Sequence, residues 1–392
     1  MSKLRRSVLF LTPGASSVGG NIFLLNFLRW FKKNSDISFV TIYGHGGDLE
    51  DEFNKLSPTF RFDDELHDLS LSGRIRFKLE KKLRTRERGI VRKLRSYDIG
   101  LIYSNAVTND RVLSAISHLD VPLITHCHEL ESFIYKHGID KFNYVKDRTS
   151  HFVAVAGAVR QNLIENHGIK NEKIDLIHEF IPLPDLSEAE IHSMRKRIRD
   201  ELGLPENAFI VGASGTMYWR KAPDLFIQIA ARVHRARPEA PIYFIWIGGA
   251  RSGDFALIEA QYDVDKLGLN GRVKFLEHRL DPMGYFAAID AFAMVSREDP
   301  FPLVCLETAA LSKPIICFDE AGGMPEFVRE DCGFVVPYLD LDSFAERLVR
   351  LFDEPELTKR LGENGACRVR KHHDINVSAV SVVKLIDRFL GR

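Results

Sequence analysis

The sequence predicts an α/β protein built from two domains, each a parallel β-sheet covered by helices on both faces. Two observations support this fold class. At 392 residues the chain is too long for one ordinary core and suits two domains of roughly 150–200 residues each. Short apolar runs also alternate with amphipathic stretches along almost its whole length, which is typical of repeated strand–helix–strand units.

The first series of strands lies in the N-terminal half of the chain. Its members are almost continuously hydrophobic, as expected of strands that are buried on both faces. The apolar run near the N-terminus is too short for a signal peptide and is interpreted as the first strand, and the clearest helix follows it at 21–33. The predicted strands are 7–12, 38–43, 98–104, 121–126, 151–156 and 173–180.

Residues 181–190 interrupt this alternation with two prolines and a run of turn-forming and acidic residues. We predict a linker there, followed by a helix over 191–201. The second series of strands is 208–215, 241–249, 272–277, 290–296, 313–319 and 332–337. The sequence therefore predicts two Rossmann-like domains, 1–181 and 182–374, with an amphipathic C-terminal helix at 375–392 that packs back on the first domain.

The composition excludes several classes of protein. The 54 basic and 54 acidic side chains give a formal net charge of zero, so no bulk charge favours nucleic acid as a partner. No stretch approaches the roughly 18 consecutive apolar residues of a membrane span. The five cysteines are scattered without a CxxC pair, which predicts buried free thiols in a reducing compartment. We therefore expect a cytoplasmic protein.

One segment departs from the general pattern. Residues 74–95 contain eleven lysines and arginines but only two glutamates, with apolar residues at helical spacing. One interpretation is a solvated helix packed on the first domain. The other is a basic amphipathic helix that meets an anionic membrane surface or an anionic acceptor, which would make the protein peripheral on the inner face of a membrane.

Two loops that follow strands carry candidate binding residues. The first, TPGASSVGGN at 12–21, is rich in glycine and precedes a helix, so it could hold an anionic or polyhydroxyl group or simply form a tight turn. The second, at 214–224, places Arg220 and Lys221 just before a helix. Cations are unfavourable at a helix N-terminus, and a bound diphosphate would explain them; ordinary surface charge is the alternative.

The stretch SREDPFPLVCLETAALSKPIICFD (296–319) places two carboxylates eight positions apart. Pro302 suits the first position of a helix over 302–311, whose free amides at Leu303 and Val304 would form an anion site. Glu307 lies on the same side of that helix and suits the two hydroxyls of a ribose, while Asp299 could accept from sugar hydroxyls. These groups match the chemistry of a nucleoside diphosphate sugar.

At these residues the sequence resembles a known family. The arrangement PFPLVCLETAALSKPII preceded by an acid and followed by AGGMPEFV (321–328) is similar to the donor-site signature of glycosyltransferase family 4, which has the GT-B fold. The N-terminal GG loop, the GTMYWRKAPD segment, WIGG and the tail helix extend the resemblance over the whole chain. The resemblance implies two Rossmann-like domains facing each other across a cleft.

The resemblance also implies an activity. Such an enzyme moves a sugar from a nucleoside diphosphate donor to a hydroxyl of a glycan or lipid-linked acceptor, with retention of configuration and without a metal ion or other cofactor. A role in cell-surface polysaccharide synthesis follows as an expectation. A GT-B epimerase or phosphorylase, or a catalytically silent GT-B binding protein, are the alternatives.

The roles of individual residues follow from the same resemblance. Lys221 matches the lysine that binds the donor diphosphate, Asp299 the acid that contacts the transferred sugar, and His128 the first-domain histidine near that sugar. The base is expected near 276–280. The implied catalytic residues are His128, Asp299, Arg220 and Lys221, and the implied donor-binding residues are Gly19, Gly20, Gly215, Arg220, Lys221, Glu298, Asp299, Phe301, Pro302, Leu303, Val304 and Glu307.

Three positions depart from the family pattern. The first acid is Asp299 instead of glutamate, although Glu298 precedes it and could take its place. Thr216 stands where many members have an arginine, and Ala222 replaces the usual glycine after the lysine. We expect no metal site: neighbouring side chains of 126–129 point to opposite faces of a strand, and the acids of 340–342 suit the N-terminal cap of a helix.

Overall fold

The structure is a computed structural model that describes residues 6–62, 85–250, 254–277 and 281–392. The chain divides into two compact units. The first contains Met1–Glu179 together with Ile375–Arg392, and the second contains Phe180–Asp374. We call them the first and second domains. The chain passes from the first to the second after Glu179, two residues before the boundary drawn from the sequence, and returns after Asp374.

The first domain contains a parallel sheet of seven strands among the described residues, in the order β3-β2-β1-β4-β5-β6-β7. Each of the six predicted strands is present, although 173–180 shortens to a strand of three residues. The added edge strand has only three residues and one apolar side chain, which is too little for a pattern to predict. The strands are β1 Ser7–Gly14, β2 Phe39–His45, β3 Thr59–Arg61, β4 Ile99–Ser104, β5 Leu123–Cys127, β6 His151–Ala154 and β7 Ile174–Leu176.

The second domain repeats this topology. Its described strands form a parallel sheet of six in the order β10-β9-β8-β11-β12-β13. In both sheets the first strand lies in the middle and the chain order reverses beside it, so the carboxyl ends of the central strands leave room for a ligand. The strands are β8 Phe209–Ser214, β9 Ile242–Ala250, β10 Val273–Glu277, β11 Ala291–Met294, β12 Ile315–Phe318 and β13 Gly333–Val336.

Helices connect the strands in both domains. Those of the first domain are α1 Gly19–Asn34, α2 Glu50–Leu56, α3 Thr85–Leu94, α4 Asp110–Ala115, α5 Glu131–His137, α6 Ile139–Arg148 and α7 Gly157–Glu165. Those of the second are α8 Glu188–Glu201, α9 Pro223–Ala236, α10 Phe255–Lys266, α11 Met283–Ala288, α12 Leu303–Ala310, α13 Met324–Val328, α14 Leu341–Asp353 and α15 Pro355–His372. No helix in these described ranges is long and apolar enough to cross a membrane.

The last helix, α16 Ile375–Leu390, belongs to the first domain and packs against α1 and β4. The indole nitrogen of Trp30 on α1 donates to the side-chain oxygen of Asn376 at 2.9 Å. The predicted amphipathic tail helix is therefore present and closes one face of the first sheet.

Aromatic packing fixes α1 above β1. The ring of Phe10 makes edge contacts with those of Phe27 and Phe31, at centroid distances of 6.1 and 5.9 Å, and all three side chains are buried. Because α1 is held by this cluster, its N-terminus is fixed next to the carboxyl end of β1.

Two predicted boundaries were wrong. The linker was placed at 181–190, but α8 already begins at Glu188. The hydroxyl of Ser187 accepts from the amide of Glu190 and the Glu190 carboxylate accepts from the amide of Ser187, a capping box that starts the helix early. Pro302 was placed at the first helical position, but α12 begins at Leu303 and Pro302 is its N-cap, with an extended ψ of 123°.

Candidate active site

The predicted glycine loop of the first domain is partly helical. Gly19 and Gly20 are the first two residues of α1, and the N-cap Val18 has no side chain that could accept from the first amides. Asn21 holds the turn before them: its Oδ1 accepts from the Thr12 hydroxyl at 2.7 Å and its Nδ2 donates to the Ser16 carbonyl at 2.9 Å. The helix therefore begins with uncapped amide groups beside a fixed turn.

His128 follows β5 and lies beside this helix N-terminus. A β-carbon on Gly20 would be 3.9 Å from His128 Cγ, so the glycine and the ring are neighbours. His128 Nδ1 is 2.7 Å from Glu179 Oε1, and His128 Nε2 is 3.1 Å from Asn105 Oδ1. Asn105 Nδ2 donates to the Gly20 carbonyl at 2.7 Å. The structure thus brings together His128 and Gly20, two of the residues that the sequence implicated.

Asn105 and Glu179 were not predicted from the sequence. Asn105 directly follows β4, and the carboxyl ends of neighbouring parallel strands meet at one edge of a sheet, so its position could have been inferred. Glu179 lies three residues beyond the short strand β7 and 51 residues from His128. No local pattern links those two positions.

The neighbours of His128 have structural roles. His126 is fully buried, with its Nδ1 2.8 Å from the Tyr103 hydroxyl; burial, and then the neighbouring His128, hold the pKa of His126 well below its usual range. The Glu129 carboxylate accepts from the amides of His128 and Val107. In the described ranges, no group of three or more His, Cys, Asp or Glu side chains is arranged to hold a metal ion.

In the second domain, the loop after β8 carries Lys221 close to the backbone of Gly215. A β-carbon on Gly215 would lie 3.0–3.3 Å from the aliphatic carbons of Lys221, and the residue has a φ of 149°. The carbonyl of Gly215 accepts from the indole nitrogen of Trp246 at 2.9 Å. Glycine at 215 therefore allows the lysine chain to lie flat over the loop.

Lys221 and Arg220 converge on the carboxylate of Asp299. Lys221 Nζ donates to Asp299 Oδ2 and Arg220 Nη1 to Oδ1 at 3.2 Å, and the Ser296 hydroxyl donates to Oδ2 at 3.1 Å. Asp299 is only 5% exposed. Burial alone would raise the pKa of Asp299, but the charges of Lys221 and Arg220 hold it below its usual range. The carboxylate is therefore ionised and saturated with donors.

The same carboxylate affects Arg220. Burial would lower the pKa of the Arg220 guanidinium, but the charge of Asp299 raises it further above its usual value. Arg220 Nε also donates to the Tyr218 hydroxyl at 2.7 Å, and its Nη1 to the carbonyl of Glu298 at 2.9 Å. Glu298 therefore contributes its backbone here, and the carboxylate that the two cations hold is that of Asp299.

Helix α12 begins next to this ion pair. The amides of Leu303 and Val304 are in its first turn, and neither donates to an acceptor in the described part of the chain. Val304 and Glu307 are both half-buried and one turn apart, so they share a face of the helix. A cavity at the carboxyl ends of β8, β9 and β11 is lined by Lys221, Asp299 and Val304, among others.

Phe301 has a different environment from the one expected. Its side chain is 2% exposed and stacks on His373, with ring centroids 5.4 Å apart and an interplanar angle of 23°. The ring anchors the loop, and only the backbone of Phe301 is left for a ligand. The predicted base region runs beyond the end of β10, and 278–280 lie outside the described residues, as do residues 74–84 of the basic segment.

Arg297 is a further residue of this site that was not predicted from the sequence. Its guanidinium makes two hydrogen bonds with the Asp224 carboxylate, at 3.0 and 2.6 Å, and lies over the Trp219 ring. Its amide donates to the Arg220 carbonyl at 2.8 Å. Arg297 therefore ties the loop of Asp299 to the loop of Arg220 and Lys221.

The structure defines a class of two-domain α/β proteins, with two parallel sheets and a paired Arg and Lys just before a helix. Comparison with known families is more specific. Residues 19–183 match the family model described as Glycosyltransferase Family 4, and residues 194–368 match that of Glycosyl transferases group 1. The chain belongs to the GT-B glycosyltransferases of family 4.

Similar curated proteins include D-inositol 3-phosphate glycosyltransferases. That of Corynebacterium glutamicum is 25% identical over 270 residues, which cover 64% of this chain and 63% of the relative. That of Mycolicibacterium smegmatis is 25% identical over 257 residues, which cover 63% of this chain and 56% of the relative. The chain thus spans less than two thirds of the length of these relatives.

Solved structures share the fold over nearly the whole chain. HepE (Alr3699) of Anabaena, solved with UDP and glucose, superposes with a TM-score of 0.81 at 21% identity, over 97% of this chain and 99% of that one. Sucrose-phosphate synthase of Thermosynechococcus elongatus has a TM-score of 0.76 at 17% identity, over 99% and 100%. These likenesses show the GT-B fold.

Proposed function

We propose that the chain is a retaining glycosyltransferase that moves a sugar from a nucleoside diphosphate sugar to a hydroxyl of a glycan or lipid-linked acceptor. The observation that carries this proposal is the convergence of Lys221 and Arg220 on Asp299 beside the first turn of α12. Two cations and a row of free amides at the carboxyl ends of parallel strands form a site for a diphosphate.

The chemistry follows from where negative charge develops. As the bond between sugar and diphosphate breaks, the leaving oxygens gain charge, and Lys221, Arg220 and the α12 amides, already directed at the bound donor, stabilise that charge. The leaving diphosphate then takes the proton of the attacking acceptor hydroxyl on the same face of the sugar. The protein supplies no nucleophile in this scheme, and its cations replace the divalent ion that other phosphate-transfer sites use.

Asp299 and Glu307 recognise the two ends of the donor. With Lys221 and Arg220 drawn towards the diphosphate, the Asp299 carboxylate accepts from hydroxyls of the transferred sugar. Glu307, on the same helix face as Val304, accepts from the ribose hydroxyls. The Anabaena relative was solved with UDP-glucose, which makes UDP-glucose the first donor to test.

The class of acceptor is proposed from what similar proteins act on. Relatives act on D-inositol 3-phosphate, and a structural neighbour, WaaG, takes part in lipopolysaccharide biosynthesis. A phosphorylated or lipid-linked acceptor in cell-surface polysaccharide synthesis fits these relatives. Arg92 and Lys93 on α3 are exposed, which supports the proposal that the basic segment 74–95 binds an anionic membrane surface. We place the protein in the cytoplasm, peripheral to the membrane.

The donor is identified by thermal-shift measurements with UDP, GDP, ADP and dTDP sugars. A donor that binds only the folded protein raises the melting temperature as its concentration exceeds Kd. Product analysis then assigns the anomeric configuration. Inversion would contradict the retaining assignment, and stabilisation by none of these nucleotides would contradict the donor site.

Glu307→Ala tests the ribose contact. We expect this variant to lose affinity for UDP-glucose and to discriminate less between UDP and its 2′,3′-dideoxy analogue. Equal donor binding and transfer in the variant and the wild type would remove Glu307 from the site. Exposed Glu346 on α14 is a suitable control for the same substitution.

Metal independence is tested separately. Transfer should persist in excess EDTA, because the cations of the protein balance the diphosphate charge. Loss of transfer that Mg²⁺ or Mn²⁺ restores would contradict this part of the proposal. Turnover of the donor without any acceptor would favour an epimerase, and transfer to phosphate alone a phosphorylase.

A further inference from the structure

We propose that Glu179 is a positioning residue for His128: with Asn105, it holds the imidazole in one orientation as a doubly protonated ring. This inference rests on the proposed function for the role of His128 near the transferred sugar. The contacts themselves lie entirely within the first domain.

Both ring nitrogens of His128 face hydrogen-bond acceptors. Nδ1 is 2.7 Å from the carboxylate of Glu179 and Nε2 is 3.1 Å from the side-chain oxygen of Asn105. The orientation of the Asn105 amide is fixed independently, because its nitrogen donates to the Gly20 carbonyl at 2.7 Å. Reversing the amide would place two acceptors face to face at Gly20 and is unfavourable.

A neutral imidazole has only one N–H and would leave one of these two contacts without a proton. The doubly protonated ring satisfies both. The side chains of His128 and Glu179 are 9% and 6% exposed, so the carboxylate balances the charge of the ring where little water reaches. A hydrogen bond between charged partners in such surroundings fixes geometry strongly.

The other groups around His128 do not supply this balance. His126 lies against its ring with a centroid distance of 4.3 Å, and burial lowers the pKa of His126, so it stays uncharged. The apolar ring of Phe23 also packs against the His128 ring, with a centroid distance of 5.2 Å. The Glu129 carboxylate accepts from backbone amides, including that of His128 itself. Glu179 is therefore the carboxylate that faces the ring nitrogens.

The position of Glu179 in the chain adds a consequence. It is the last residue of the first domain before the chain enters the second. The residues that follow Glu179 belong to the second domain, where the amide of Ile181 donates to the carbonyl of His373 at 2.9 Å. The orientation of His128 is therefore set by a residue of the connection between the domains.

A second histidine–glutamate pair in the same domain is a matched control. His167 Nε2 is 2.8 Å from Glu131 Oε2, and the His167 side chain is only 4% exposed. Among the described residues, no hydrogen bond joins His167 or Glu131 to Gly20, Asn105 or His128. Glu131→Gln therefore makes the same chemical change as Glu179→Gln, in a pair whose histidine is buried and whose glutamate is 28% exposed.

Kinetics of the protein with UDP-glucose as donor and D-inositol 3-phosphate as acceptor test the role. Glu179→Gln should lower kcat by about 10- to 100-fold with little change in donor KM, a range typical of residues that orient a functional histidine in metal sites. Glu131→Gln should stay near the wild-type rate. In a His128→Ala background, Glu179→Gln should have no further effect, because it acts through that ring. Independent, multiplying effects would overturn the inference.

The ¹⁵N NMR spectrum of the histidine rings gives a readout that does not depend on activity. Both ring nitrogens of His128 should give N–H signals in the wild type, because both face acceptors, and Glu179→Gln should leave one of them without a proton. A neutral His128 in the wild type would overturn the inference. If the spectra agree but no nucleotide sugar supports transfer, the proposed function fails while the His128–Glu179 pair stands.

Discussion

Gly322 lies against the carbonyl of Asp299 so closely that a β-carbon at position 322 would be 1.8 Å from that oxygen. The two residues form an isolated parallel bridge, and the Asp299 amide donates to the carbonyl of Ala321 at 2.7 Å. Gly322 also has a φ of 135°, which side chains rarely allow. The AGG loop therefore sets the backbone on which the Asp299 carboxylate is placed.

Gly322→Ala should displace Asp299 and abolish measurable UDP affinity, as well as destabilise the fold. Gly203→Ala is the matched control, because Gly203 also has a positive φ, 63°, but a β-carbon there would meet no atom within 4 Å. In that control the free energy of unfolding should fall only by the backbone strain of a side chain at positive φ, about 1–2 kcal/mol. Calorimetry of both variants, for unfolding and for UDP binding, measures the difference. Equal effects would mean that the close approach has no role.

The fold could be predicted because burial is encoded locally. Strands buried on both faces, such as β1 and β12, have continuous apolar sequences, and the structure has each of the twelve predicted strands. The strand that was missed, β3, lies at the sheet edge and is short. The early start of α8 could also have been predicted from the sequence, because Ser187 and Glu190 have the spacing of a capping box.

The site could be predicted only in part. Arg220 and Lys221 were found because they are cations just before a helix, and Asp299 because it precedes a helix start in the stretch that resembles the family signature; both loops follow parallel strands, and parallel topology brings such loops together. The contacts of His128 with Glu179 and of Phe301 with His373 join residues 51 and 72 positions apart. Their partners follow from the paths of loops, on which hydrophobic periodicity carries no information.

Lys221→Met tests the diphosphate contact. Removing the ammonium group should weaken UDP binding by about 1.5–3 kcal/mol, the contribution typical of a hydrogen bond to a charged group. It should also raise the pKa of Asp299, which then keeps only Arg220 as a cationic partner. Binding of UDP by calorimetry between pH 5 and 8 measures both effects.

Arg232→Met is the control for that measurement. Arg232 is on α9 of the same domain and pairs with Asp342, whose side chain is 81% exposed, so its loss should change little. Equal loss of affinity in both variants would show that bulk charge, and not the position of Lys221, determines binding.

His373 should support the donor loop through its stack on Phe301. His373→Leu removes the aromatic contact, which is worth about 0.5–1.5 kcal/mol, so UDP affinity should fall by a few-fold. His373→Phe keeps a ring at that position and should recover most of the affinity. His167→Leu, which breaks a comparable contact with Phe142 in the first domain, should lower the melting temperature without changing UDP affinity. A failure of phenylalanine to rescue would assign the effect to the lost polar group of His373.

Lys313 should make stability depend on pH in the alkaline range. Its Nζ donates to the carbonyl of Ala287 at 3.0 Å, and burial, then the charge of Arg195, lowers the pKa of Lys313 to about 7. In the unfolded chain a lysine has a pKa of about 10.4, so between these values the unfolded state binds more protons. Stability should therefore rise with pH in this window, with a slope of up to about 1.4 kcal/mol per unit.

Lys313→Met removes this titration. The difference in free energy of unfolding between wild type and variant should change steadily from pH 7 to pH 10 in favour of the wild type. Lys313 must lose its proton on folding in this range, and the free energy needed to remove that proton falls as pH rises; the variant has no such group. Chemical denaturation across this range, with the same substitution at exposed Lys359 as the control, provides the comparison. A constant difference would mean that Lys313 keeps an ordinary pKa and that its charge is solvated in the folded protein.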